Sequence, residues 1–191
     1  LGQSWPRSIV YFPPSRTIEP IGKEAGGKSK AVSLDEAWEA NADVYLLAVP
    51  FKAIDKLSEL YAGEYGNKVI IDATNPYPER DGEMAQEVRD SNRNASEYTA
   101  MKFGTAKTAK AFNTIYAEHL KDQAFRNTDK LAIPFAAQDE DSKKATKQLI
   151  EDIGFDAVYV GGLEDTHIMD PDQKIYGKST NRQHLEEMMR K

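Results

Sequence analysis

Cysteine is absent from the 191 residues of this chain. Disulfides, thiolate metal sites and cysteine nucleophiles are therefore excluded. Histidine is scarce: His119, His167 and His184 lie far apart and form no metal-like spacing. No apolar run approaches the ~18 residues that a membrane-spanning helix needs. No signal peptide is visible, which fits a cytoplasmic protein. Positive charge is in the minority, with 25 Lys and Arg against 31 Asp and Glu and a formal net charge of −6. That balance argues against nucleic acid or an anionic membrane as the main partner. Nothing reads as a serine triad or a paired-carboxylate hydrolase. The chain begins at Leu1 rather than at methionine, so its natural beginning is expected to lie upstream.

What is present is an alternation of short apolar runs and amphipathic stretches. Strands are expected at Ser8–Phe12, Val44–Val49, Val69–Ile71, Thr108–Phe112, Leu131–Ala136 and Ala157–Val160. Helices are expected at Leu34–Asn41, capped by Ser33, and at Phe51–Tyr61, with apolar Phe51, Ile54, Leu57 and Leu60. Further helices are expected at Ser96–Phe103, Ile115–Leu120, Glu140–Ile153 and Gln183–Arg190. Gly154 is the C-terminal stop of the Glu140–Ile153 helix. Arg80–Asn94 is charged and irregular and reads as a loop with at most one helical turn, and the tail from Asp165 is weakly patterned. The alternation predicts an α/β fold with a mostly parallel sheet and helices on both faces. Right-handed crossovers then bring Pro13–Arg16, Val49-Pro50, Thr74–Pro76 and Asn113-Thr114 to one edge.

The most informative stretch is Val69–Gly82. A β-branched run stops abruptly at Asp72-Ala-Thr-Asn-Pro, and the proline restricts Asn75 to extended geometry. A polar turn at the carboxyl end of a parallel strand is where open α/β sheets bind ligands. Thr74 and Asn75 are then hydrogen-bonding groups beside a ligand, or the segment is a strand-closing Asx or proline turn. Ser15-Arg16 follows the first strand. In a dinucleotide fold an arginine there accommodates the 2′-phosphate of NADP; the alternative is a solvated loop arginine. Val49-Pro50 ends a strand and starts a helix. In Lys110-Ala-Phe-Asn-Thr, Phe112 reads as core and Asn113 as the site candidate, because a buried amide needs partners. His167 lacks an acid–base partner in the sequence and reads as a surface residue.

Ser15-Arg16, Leu47-Ala-Val-Pro-Phe51, Val69–Gly82, Lys110–Thr114, and Gln148–Phe155 followed by Gly161-Gly162-Leu163 together resemble the F420-dependent NADP oxidoreductases, or NADPH-dependent coenzyme F420 reductases. The resemblance implies a Rossmann-type NADP-binding domain over residues 1–137. It also implies a helix–strand elaboration over 138–191 packed on that domain, and a homodimer. It implies hydride exchange between NADP(H) and coenzyme F420 or another flavin-like partner. Ser15 and Arg16 would hold the 2′-phosphate. Val49 and Pro50 would line the adenosine and pyrophosphate path. Thr74, Asn75 and Pro76 would border the nicotinamide, with Ala111 and Asn113 beside it. No catalytic side chain and no metal is implied, since hydride transfer depends on alignment of the cofactor. One element departs from the family. No strand and glycine-rich turn precedes Ser8, and Gly22, Gly26 and Gly27 lie downstream of the Ser-Arg position. The fold is therefore expected to be N-terminally incomplete. The alternative function is a non-catalytic binding or oligomerisation protein that has lost tight dinucleotide binding.

Overall fold

A computed structural model describes residues 9–10, 30–61, 66, 68–91, 93–104 and 107–190. The chain divides into two compact units, Leu1–Tyr45 and Leu46–Lys191. In the first, β1 (Ile9–Val10) pairs in parallel with β2 (Lys30–Ala31). The sequence pattern carried no sign of β2, which is only two residues long. Helix α1 (Leu34–Glu39) opens with a reciprocal capping box between Ser33 and Glu36. It ends before the expected Asn41, which takes a positive φ of 49°. The Tyr45 hydroxyl then ties the turn, accepting from Ala42 N and donating to Trp38 O.

A five-stranded sheet begins with β3 (Val44–Leu47) at the boundary between the units and continues through the second in the order β3-β4-β5-β6-β7. Strand β4 (Val69–Asp72) is buried at every position, as its β-branched run predicts. It pairs in parallel with β5 (Lys107–Ala111). Strand β6 (Ala132–Ala137) is antiparallel to β5 and parallel to β7 (Asp156–Gly161). The sheet is thus mostly parallel, with one reversal. Helix α7 (Glu140–Asp152), which follows the short α6 (Ala117–Asp122), lies along β4 through β7, while α5 (Ala95–Phe103) packs on β5. A 3₁₀ helix, Leu163–Met169, packs against α5 and β5 through β7.

Three sequence expectations change here. The Phe51–Tyr61 helix is a 3₁₀ turn, Phe51–Ala53, followed by α2 (Ile54–Leu60). The tighter first turn rotates the rest of the helix. Phe51, Ile54 and Ser58 therefore face inward, and Leu60 is exposed. Arg80–Asn94 is not a loop. It contains the second half of α3 (Pro78–Asp81) and all of α4 (Glu83–Asp90), with Gly82 between the two helices at φ 77° and Ala85 and Val88 buried. The tail from Asp165, weakly patterned in sequence, supplies core residues. Met169, Ile175 and Leu185 join Ala132 and Val158 in one buried cluster, with Leu185 supplied by α8 (Arg182–Arg190).

Candidate ligand cleft

The strand-ending turns meet at a cleft of about 650 Å³ in the second unit. Each turn has a separate physical anchor. After β3, Leu47 O accepts from Ala73 N at 3.1 Å, which joins the first two turns. After β4, Asp72 folds its carboxylate back on its own turn, where Oδ1 accepts from Thr74 N at 2.8 Å. That is the Asx arrangement which the Asp72–Pro76 sequence allows. The other oxygen, Oδ2, accepts from Lys110 Nζ at 3.0 Å and Thr99 Oγ1 at 3.2 Å. Lys110 Nζ also donates to Thr74 O at 2.6 Å. Both side chains of the Asp72–Lys110 pair are fully buried. An interior ion pair persists when its remaining donors and acceptors are also met, and here the backbone of the turn meets them.

The turn after β5 is strained. Phe112 has a φ of 67°, an uncommon conformation for a residue with a bulky side chain. The strain aims Asn113 back at the β4 turn. Asn113 Nδ2 donates to Asn75 Oδ1 at 3.1 Å and to Met169 O at 2.8 Å, while Asn75 Nδ2 donates to Asn113 O at 3.0 Å. The amide pair thereby bridges the ends of β4 and β5. Arg80 closes the outer side, donating to Asn75 O at 2.8 Å with its guanidinium over the Tyr77 ring. Its partner Asp81 is buried. Burial works to raise that carboxyl, but hydrogen bonds from Arg80, Tyr77 N and Lys52 N outweigh it and hold the pKa below the usual range. Tyr77 and Tyr176 hydroxyls are bonded to each other. Burial of Tyr176 and that bond push its pKa well up, so it stays protonated.

Of the residues singled out in the sequence, Val49, Pro50, Thr74 and Asn75 line this cleft together. Asn113 stands behind it as the partner of Asn75. Ala111 is fully buried in β5, in register with Phe135. Pro76 is turned to a neighbouring cavity. Ser15 and Arg16 lie outside the described residues. Leu46, Tyr77, Arg80, Phe112, Leu149 and Ile153 also line the cleft but were not singled out there as binding groups. For Tyr77 and Arg80 a signal existed: both fall within the Val69–Gly82 motif.

The lining fits the ring half of a nicotinamide dinucleotide. It is largely aliphatic and aromatic, and the buried Thr74 Oγ1 has no protein partner. A flat ring carrying a carboxamide matches apolar walls with a few polar groups. Among the described residues, no group of three His, Asp or Glu could hold a metal ion. Nor is any helix among them long and apolar enough to cross a membrane.

Comparison with known proteins agrees with this architecture. No curated protein matches the sequence. Hypothetical protein SMa0349 of Sinorhizobium meliloti superposes with a TM-score of 0.77 at 24% identity, over 92% of this chain and 84% of that one. A protein of Arthrobacter sp. FB24, provisionally named an F420-dependent NADP-reductase, gives 0.59 at 19% identity, over 71% and 62%. Glycerol-3-phosphate dehydrogenase of Coxiella burnetii gives 0.54 at 14% identity, over 80% and 46%. At such identities these structures speak for the fold alone. Residues 2–76 match the model of the family described as NADP oxidoreductase, coenzyme F420-dependent, a segment that ends on the Asn75-Pro76 turn of the cleft. The resemblance to the F420-dependent NADP oxidoreductases is therefore borne out by the family pattern over residues 2–76.

Proposed function

We propose that this protein is an NADP(H)-dependent oxidoreductase that exchanges a hydride with a flavin-like partner such as coenzyme F420. One observation carries the reading: the turns after β3, β4 and β5 converge on one apolar cleft, with Asn75 in its wall held by Asn113 behind it. That is the edge at which open α/β sheets take ligands. Thr74 and Asn75 would border the nicotinamide, with Val49 and Pro50 along the path to the adenosine. Ser15 and Arg16 would hold the 2′-phosphate. The nicotinamide supplies the hydride chemistry when bound. The protein supplies orientation and a dry wall, which is where such enzymes gain rate. No side chain here need act as an acid or base. The protein is proposed to work as a homodimer.

The test is direct. NADPH fluorescence should shift on titration with the protein, and NADPH should bind more tightly than NADH. Arg16→Ala should narrow that preference by about tenfold or more, the scale of a lost charge-assisted phosphate contact. Equal affinity for the two nucleotides, with Arg16→Ala silent, would remove the NADP assignment. A folded oligomer without affinity for either nucleotide would favour a binding or assembly role.

A further inference from the structure

The Asn75–Tyr77 segment is a wall shared by two cavities. Asn75 and Tyr77 line the cleft, whereas Pro76 lines a second cavity of about 300 Å³. Arg89, Arg93, His167 and Asp170 also line that second cavity. Arg93 is exposed, and its guanidinium donates to the thioether of Met101 at 3.0 Å. A thioether is a weak acceptor, and Arg93 has no carboxylate partner among the described residues. Arg89 pairs with Asp172 at 3.0 Å, but the Asp172 side chain is 80% exposed. Such a surface pair is worth little and exchanges readily for a better anion.

Asp170 supplies the opposite requirement. Its Oδ2 faces His167 Nδ1 at 3.2 Å, while its Oδ1 is buried and unpartnered. A buried carboxylate oxygen without a donor is unfavourable, and a ligand O–H or N–H would relieve it. The Asn94 amide at the start of α5 does not compete. It accepts from Ser96 N and Glu97 N and donates to Leu163 O.

We infer that this second cavity binds a small hydroxy- or amino-carboxylate. Arg93 and Arg89 take the carboxylate in their planar forks. The neighbouring hydroxyl or ammonium group donates to Asp170 Oδ1. The volume is at the small end for ligand pockets, which excludes a dinucleotide or a tricyclic flavin-like group. Glu164 in the lining disfavours a multiply charged phosphate.

The experiment follows backbone amide shifts of the full chain during titration with glycolate, acetate and inorganic phosphate, without nucleotide. Glycolate should saturate shifts at Ala95 and His167. Acetate, lacking the hydroxyl, should bind about tenfold more weakly, and phosphate more weakly than glycolate. Arg93→Gln should weaken glycolate and acetate alike, and Asp170→Ala should abolish the gap between them. If Asp170→Ala does not fold, the glycolate-to-acetate ratio on the unaltered chain still decides. Equal affinity for acetate and glycolate, tighter phosphate, or shifts unmoved by Arg93→Gln would overturn the inference. No arm uses NADPH, so the outcome is independent of what the cleft binds.

Discussion

At the scale of single residues, the buried Lys110 decides the shape of the cleft. It neutralises Asp72 and holds Thr74 O, so the β4 turn depends on a charge that no solvent reaches. Lys110→Met should lower stability by about 3–5 kcal/mol, because it strands Asp72 without a counter-charge. Adding Asp72→Asn should recover a large part, as urea unfolding of the single and double variants would show. Asp81 gives a pH prediction. Its folded pKa is lowered, so its contribution is in place above the unfolded value of about 3.9 and disappears as the pH falls through the lower folded value. Asp81→Asn should therefore destabilise the protein at neutral pH and flatten the acid limb of its stability curve. Asn113 was legible in the sequence as a buried amide seeking partners. Lys110 was not legible in this role, since lysines are mostly exposed and only strand register turns this one inward. Its near neighbour Lys107 reaches Asp141 at the surface.

At the scale of elements, caps and stops were read well and helix phase was not. Ser33 and Gly154 act where the sequence places them, because caps are local chemistry. The phase of Phe51–Leu60 depends on a 3₁₀ first turn that no apolar spacing announces. The helices α3 and α4 were hidden by charge, although Pro78 at the first turn and the Ala85–Val88 spacing mark them. Two glycines separate backbone strain from crowding. Gly82 (φ 77°) has open space around it, whereas a Cβ on Gly154 (φ 90°) would come within 2.4 Å of Phe125 N. Gly82→Ala should cost about 1–3 kcal/mol of backbone strain, because φ 77° with ψ −154° is a conformation essentially restricted to glycine. Gly154→Ala should cost clearly more, measured side by side by thermal or denaturant unfolding. Equal losses would mean that the Phe125 backbone yields freely.

At the scale of the whole molecule, the strand alternation led to the right fold class, since buried parallel strands write themselves as β-branched runs. The reversal of β6 was not written, because a buried strand looks the same in either direction. The role of the tail was also hidden: Met169, Ile175 and Leu185 are too far apart in sequence to form a periodic stripe, yet they meet in one cluster. Leu185 is 1% exposed. Leu185→Ala should therefore cost about 2–5 kcal/mol, in a single cooperative transition seen equally by probes of the sheet and of α8. A separate early transition of the tail would contradict a shared core.

The ion pair beneath the β4 turn also bears on how the cleft meets its ligand. Ala73 N is bonded to Leu47 O and Thr74 N to the buried Asp72 carboxylate. Amide hydrogens at a strand-ending turn ordinarily exchange quickly with water. These two should exchange only when the sheet itself opens, at rates that follow global stability and rise sharply in Lys110→Met. A wall that rigid does not close over its ligand. Recognition on this side of the cleft is docking against a preformed surface, with little ordering entropy left to lose on binding.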